Sequence, residues 1–359
     1  MKVFLQRRWF LIALVLMISA GHWLGHIFPT AISQLLEQFF GSQQKSWLVA
    51  AILFCMSVTL DGRRFRQALA SPAPVLIAVL VNAVLMPLAA PVLMPLQFSP
   101  DLAAGLLIAA SVPCTLAAAS VWTRRAGGND AVSLLVTLVT NGGCVVFTPF
   151  WLQTFASGSV ELGLSSMMQK LFLTALVPTA VGQLVRMLPA LRAAADSHKT
   201  ALGVAAQLGV LVIVFTAACD GGRRLAVGAD ASSAGTAAPT LAALAVVTAS
   251  CIGLHLAAMS VALGASSLLR LDAADRIAVG FAGSQKTLPI GVLIATDPAM
   301  FGDRYPWAVF PMLIFHASQL FIDTAVADRF RSQVSSASSS SDPAVAPAGS
   351  APANGKSGT

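Results

Sequence analysis

The chain has 359 residues, 56% of them hydrophobic and only 10% charged, with mean hydropathy +0.78 and formal net charge +7. That composition excludes an ordinary soluble globular domain and points to a polytopic membrane protein. The positive charge does not indicate a nucleic-acid partner, because most Lys and Arg sit in short loops between apolar segments, where they set orientation.

Residues 1–28 start with Lys2, Arg7 and Arg8 and run into an apolar stretch from Trp9. A signal peptide has a shorter apolar core and a small-residue cleavage site, so a retained first span is expected. Further apolar runs lie near 46–60, which is short, and near 73–96, 102–122, 131–154, 169–188, 202–219, 240–268, 275–296 and 305–326; with 9–28 they make ten expected spans. A cytoplasmic N-terminus puts Lys2, Arg7, Arg8, Arg63, Arg64, Arg66, Arg124, Arg125, Arg186, Arg192, Lys199, Arg270, Arg276, Arg329 and Arg331 inside. Lys45, Lys170, Arg223, Arg224 and Arg304 are left outside. The positive-inside rule then predicts an integral multi-pass protein of the plasma (inner) membrane with both termini cytoplasmic, and Arg223 and Arg224 are its local exception.

Ten spans divide into five and five. The first half starts inside and has an odd number of spans, so the second half enters upside down, which is the inverted-repeat plan, here about 8–155 and 168–328 within a ten-helix domain 1–330. The interruptions fall at matching places: Ser111-Val-Pro113-Cys-Thr115 in the fourth span and Gly283 to Pro289 in the ninth, each about three turns after an acidic residue, Asp101 or Asp275. From Ser332 the chain turns to Ser, Ala, Pro and Gly, and 332–359 is expected to be a disordered cytoplasmic tail.

The most informative stretch is Phe281-Ala-Gly-Ser-Gln-Lys-Thr-Leu-Pro-Ile-Gly291. An ammonium at the centre of a span costs about 3 kcal/mol on insertion scales, and Lys286 is too far from either end to snorkel. Pro289 has no N–H and its ring clashes with the carbonyl of Gln285, so the helix is expected to unwind over Gly283 to Pro289. Broken backbone at membrane depth survives where protein or a wet cavity covers it, and transporters hold substrate and ions at such places. The plainer alternative is a proline kink with a lysine paired for packing.

Other polar residues carry weaker signals. His22 and His26 have a metal-compatible spacing but no third ligand, so they read as a headgroup-level pair. His316, near Ser318 and Gln319, and His255 are intramembrane imidazoles open to proton relay or to packing. Asn141 beside Gly142-Gly143 reads as close packing, Asp323 and Asp328 as interfacial charges, and Asp297 and Asp303 as solvated groups at the outer mouth. Five scattered cysteines form no C-x-x-C pair and read as small hydrophobes. With no phosphate loop, His-Glu-x-x-His or Gly-x-Ser-x-Gly, neither ATP-driven transport nor an enzyme is expected.

Gly283-Ser-Gln-Lys-Thr287, Pro113-x-Thr115, the loop Ala126-Gly-Gly-Asn-Asp130 and Asn82 to Pro87 resemble the SBF-like branch of the bile acid:sodium symporter superfamily over about residues 8 to 328. The resemblance implies a panel domain of spans 1, 2, 6 and 7 and a core domain of the other six. It also implies broken fourth and ninth helices crossing at the midplane, and transport of organic anions such as bile acids or small carboxylates with sodium. Of the family's sodium ligands, Ser133, Thr137 and Gln285 keep their side-chain oxygens, giving a degenerate sodium site, and Asn82 replaces a longer Gln. Ala118, Ala119, Phe281 and Lys286 stand where the family has Ser, Asn, Glu and Asn.

These residues lead to an all-α secondary transporter of a small organic anion, working by alternating access in the bilayer with no cofactor. Lys286 would supply the positive field that sodium supplies in relatives, and sodium or a proton would be the coupling ion. The binding residues expected are Lys286, Gln285, Ser284, Thr115, Asn82, Ser133, Thr137 and His316. The alternatives are an arsenite or auxin-like carrier on a related fold, or a non-transporting membrane regulator that keeps the fold.

Overall fold

The computed structural model describes residues 2–61, 72–156, 163–230, 239–302 and 304–340. Arg63, Arg64, Arg66 and Asp303 lie outside the described residues, as does the tail beyond Ser340. Among the described residues every regular element is a helix.

In chain order these are α1 (Lys2–Ile27), α2 (Pro29–Phe39), α3 (Ser42–Val58), α4 (Pro72–Leu96), α5 (Pro100–Ser111), α6 (Ala118–Arg125) and α7 (Asp130–Phe155). There follow α8 (Leu164–Met187), α9 (Pro189–Ser197), α10 (Lys199–Asp230), α11 (Leu241–Leu268), α12 (Ala273–Ser284), α13 (Leu288–Thr296) and α14 (Val309–Ser340). Local chemistry sets many boundaries. Pro29, Pro100 and Pro189 open their helices, where the missing N–H costs no bond. Ser99, Asn129, Thr240 and Asp272 cap the next helices through side-chain oxygens.

Eight helical stretches are long and apolar enough to cross a membrane, counting α12 with α13 as one. With α3 and the interrupted pair α5 and α6 they account for the ten expected spans. The short amphipathic α2 and the surface helix α9 are additions that hydropathy alone did not separate. The last helix runs on to Ser340, into the stretch expected as tail.

The spans form two packed groups. In the first, α1 lies along α10 while α3 packs on α8 and α10. In the second, α12 is the hub, touching α4, α6, α7 and α11, while α14 packs on α5, α11 and α13. Across the two groups α7 packs on α8, and α13 on α3 and α10. The α12 and α13 pair is buried throughout its apolar stretch, so the segment with the costliest residue is also the most enclosed.

α4 is not a regular rod. It passes through a π turn at Val81–Leu85, in which the N–H of Met86 reaches back to Val81 O. Pro87 has no N–H, so the carbonyls of Asn82 and Ala83 are left without their usual helical donors. The Trp151 indole takes Ala83 O at 2.7 Å. Asn82 O turns to the ninth span.

Candidate functional site: two helix breaks joined by a buried lysine

Pro113 ends α5 by forcing Val112 into extended backbone (φ −71°, ψ 158°), so the carbonyls from Ser111 to Thr115 lose their helical donors. Each finds another. Ser111 O accepts from Thr148 Oγ1 (2.8 Å), Val112 O from Lys286 Nζ (2.8 Å) and Pro113 O from the Thr287 N–H (2.9 Å). Cys114 O accepts from Asn141 Nδ2 (2.8 Å) and Thr115 O from Thr137 Oγ1 (3.3 Å). Buried peptide groups must be paired, and here α7 and the ninth span's own break do the pairing.

The break between α12 and α13 is satisfied in the same way. Ser284 O accepts from His255 Nδ1 (3.2 Å) and Gln285 O from Asn82 Nδ2 (2.8 Å). Gln319 closes a two-way clamp on Lys286, taking its N–H on Oε1 and donating Nε2 to its carbonyl, both at 2.9 Å. Lys286 Nζ, on a fully buried side chain, donates to Asn82 O (2.7 Å), Val112 O (2.8 Å) and Asn82 Oδ1 (3.3 Å). Three acceptors match the three donors of an ammonium. Its charge therefore lies against carbonyl dipoles from both irregular helices of the first half.

The sequence-predicted residues separate into three sets. Lys286, Asn82 and Gln285 are joined through the break. Thr115 and His316 line a cavity of about 210 Å³ between the two helix groups, with Trp9, Phe10 and Met56 on one wall and Trp122, Thr287 and Pro289 on the other. Ser133, Thr137 and Ser284 point elsewhere: Ser133 Oγ pairs with Thr123 Oγ1 (2.7 Å), Thr137 braces Thr115 O, and Ser284 Oγ folds back on Gly280 O (2.8 Å). Lys286 does not line the cavity; its neighbours Thr287, Leu288 and Pro289 do. The ammonium meets the cavity only through the backbone that follows it.

Two aspartates read as surface charges are not. Asp323 is fully buried, with Oδ1 3.1 Å from His255 Nε2 and Oδ2 accepting from Gln285 Nε2 at 2.5 Å. It faces inward because α14 packs on α11 and on the break, so a position near the end of the hydropathy run is deep in the core. Both His255 ring nitrogens face acceptors, Ser284 O on one side and Asp323 Oδ1 on the other. Asp297 is only 2% exposed and is engaged by Lys170 Nζ and by Ser42 Oγ (2.8 Å). Asp328 fits its interfacial reading, paired at the surface with Arg125 (2.6 Å).

Sequence reasoning noted Gln319 but missed its clamp, and missed Trp122 and Trp151. Trp122 lines the cavity with a buried Nε1 that has no hydrogen-bond partner. A lone Trp, Gln or Asp in an apolar run gives no signal of its partner, which is 33 to 68 positions away in these networks. The Gly-Gly-Asn loop serves the architecture. Asn129 Nδ2 donates to Asp275 Oδ1 (2.7 Å) and the Asn129 N–H to Ala274 O (2.9 Å), tying the starts of α7 and α12 together. Among the described residues no three His, Cys, Asp or Glu side chains gather as they would to hold a metal ion.

Known proteins resemble the chain over most of its length. Sodium/bile acid cotransporter 7 of Xenopus tropicalis is 23% identical over 340 residues, covering 91% of this chain and 93% of that protein. The Danio rerio protein of the same name is 25% identical over 222 residues, 62% of this chain and 63% of its own length. A chloroplastic Arabidopsis thaliana protein named probable sodium/metabolite cotransporter BASS4 is 32% identical over 97 residues, 26% of this chain and 22% of its own. Residues 8–332 match the SBF-like CPA transporter family (DUF4137), and the chain, with its interrupted spans, belongs to that family of multi-pass membrane transporters.

Proposed function

We propose that the protein is a secondary transporter of a small organic anion, bile acid-like or a carboxylate, in which Lys286 is a built-in cation at the crossing of two broken helices. The observation that carries this reading is the ammonium itself, buried and held by Asn82 and Val112 carbonyls beside a cavity between two helix groups. A residue so costly in lipid needs a use, and a fixed positive charge near an anion site supplies one. The first residues of α13 and of α6 also line the cavity, adding the partial positive charge of two helix N-termini.

Alternating access is supported by the asymmetry of the two ends. The cavity lies at the end of the first helix group marked by Trp9 and Met56, the cytoplasmic end on the positive-inside reading. At the other end Asp297 of the core is tied to Lys170 and Ser42 of the panel, so the outer path is closed while the inner one holds the cavity. The relatives' names, sodium/bile acid and sodium/metabolite cotransporter, favour an organic solute. Against sodium coupling in this chain stands Lys286 Nζ, which occupies oxygens that a hard cation would otherwise use.

The test is uptake of a panel of labelled bile acids and small carboxylates into liposomes holding the pure protein, with a sodium gradient, a proton gradient and neither in turn. Accumulation of one anion that stops in Lys286→Gln supports the proposal; normal uptake by Lys286→Gln removes it. A non-transporting regulator would give neither uptake nor substrate-dependent thermal stabilisation. Uptake confined to arsenite or to auxin-like acids in the same panel would move the substrate class.

A further inference from the structure

Arg223 and Arg224 break the charge rule that orients every other loop, and the structure gives them surroundings. They sit at the end of α10, both bound to Asp220: Arg223 Nε and Nη2 reach Oδ1 at 3.1 and 2.7 Å, and Arg224 Nε reaches Oδ2 at 2.7 Å. One carboxylate thus orients two guanidiniums, and only one of Arg224's five N–H donors is used on it. All three side chains line a pocket of about 200 Å³ roofed by α2, with Lys45 and Ser42 from α3 and Thr296 and Gly302 around the end of α13.

The Lys45 ammonium is half-buried in this pocket and, among the described residues, makes no hydrogen bond or ion pair; it feels Asp220, Arg224 and Asp297 only at longer range. Asp297 is already engaged by Lys170 and Ser42. The remaining carboxylate of the pocket, Glu37, is exposed at the rim and weakened by solvent. Among the side chains that line the pocket, three cations face two carboxylates, with Asp101 and Asp297 behind the wall within range of Arg224 and Lys45, and the unused guanidinium and ammonium donors are directed into a concave site. The pocket is distinct from the transport cavity. Lys45 and the cavity-lining Met56 are 11 residues apart on α3, about 16 Å of helix.

We propose that Lys45, Arg223 and Arg224 form an outer-face binding site for a singly charged oxyanion, either a soluble carboxylate or the phosphodiester of an anionic lipid headgroup. Asp220 is the positioning residue that holds the two guanidiniums side by side. The site stands on its own geometry and survives if the transport reading fails.

The test uses the full chain carrying Ser33→Cys, a reporter in the pocket wall, in liposomes of phosphatidylcholine alone or with phosphatidylglycerol. Labelling by a sulfonate-bearing and by a trimethylammonium-bearing methanethiosulfonate is followed by mass spectrometry of the modified peptide, with and without benzoate. The sulfonate reagent is expected to react faster, and Lys45→Gln, which breaks no bond, to cut that preference about threefold. Protection by benzoate in phosphatidylcholine, lost in Lys45→Gln and in Arg224→Gln, assigns a soluble carboxylate. Protection without benzoate in phosphatidylglycerol, lost in the same variants, assigns the headgroup. Equal labelling by both reagents with no protection in either lipid overturns the site, as does protection undiminished in both variants.

Discussion

Asn82 and Lys286 hold each other's helices in both directions: the ammonium donates to Asn82 O at 2.7 Å, and the Asn82 amide donates to Gln285 O, one residue before the lysine, at 2.8 Å. This reciprocity links a π turn in the third span to the break in the ninth. It makes the charge part of the backbone's own hydrogen bonding, so each partner has a distinct mutational signature.

Lys286→Met is expected to leave Asn82 O and Val112 O without donors and to lower stability by about 2 to 5 kcal/mol, the cost of two unpaired buried acceptors. Lys286→Gln, which keeps a donor, should recover part of that stability but none of the fixed charge. Thermal unfolding in detergent ranks the two variants, and uptake should fall at least about tenfold in both.

Gln319 offers a finer separation of donor from acceptor. Gln319→Glu keeps an oxygen for the Lys286 N–H but cannot donate to the Lys286 carbonyl when ionised, whereas Gln319→Leu loses both bonds. Stability measured by thermal or denaturant unfolding should fall in the order wild type, then Glu, then Leu. The Leu variant should lose about 2 to 5 kcal/mol from two orphaned buried groups.

Asp323 is predicted to be essential for the fold of the core, in contrast to Asp328. Asp323→Ala strands the His255 ring and the Gln285 amide in an apolar core, which should cost about 3 to 5 kcal/mol, as when one partner of a buried pair is removed. Asp328→Ala removes an exposed pair with Arg125 and should cost about 1 kcal/mol or less. Melting temperatures of the two variants, measured side by side, check the contrast.

The proposed outer closure predicts coupling between groups on opposite helix bundles. In a double-mutant cycle, Lys170→Met and Asp297→Asn should show a coupling of about 1 kcal/mol. Either single change should also speed labelling, from outside, of a cysteine placed at Thr287, because it loosens the end that keeps the cavity closed to that side. Equal labelling rates in wild type and both variants would remove Lys170 and Asp297 from the gate.

Trp122→Phe should raise the substrate KM about tenfold while leaving the melting temperature nearly unchanged. The indole N–H has no protein partner to lose, and on the proposed transport reading it is free to donate to the substrate. A variant with wild-type KM would show that the anion lies elsewhere in the cavity.

Much of the site could be read in one dimension because the signals were local. Pro113 and Pro289 forbid a continuous helix whatever surrounds them, and Lys286 is costly in lipid whatever its neighbour. The meaning of Asn82 was half legible: its place before Met86 and Pro87 frees a carbonyl, but the amide's second bond depends on the ninth span lying alongside. Ser133, Thr137 and Ser284 had the right atoms in plausible places, yet each found a partner that hydropathy does not encode.

The chain's order of residues therefore determined the membrane class, the expected spans, the two interruptions and the presence of a buried cation, since composition, proline sterics and the lipid cost of charge act over a few residues. Only the tertiary structure decided that the ammonium turns to carbonyls instead of the cavity, that Asp323 is buried with His255, and that Asp297 faces Lys170. Those outcomes depend on the rotation and register of one helix against another, and a rotation of about 100° per residue moves a side chain from lipid to core without changing the hydropathy of the span.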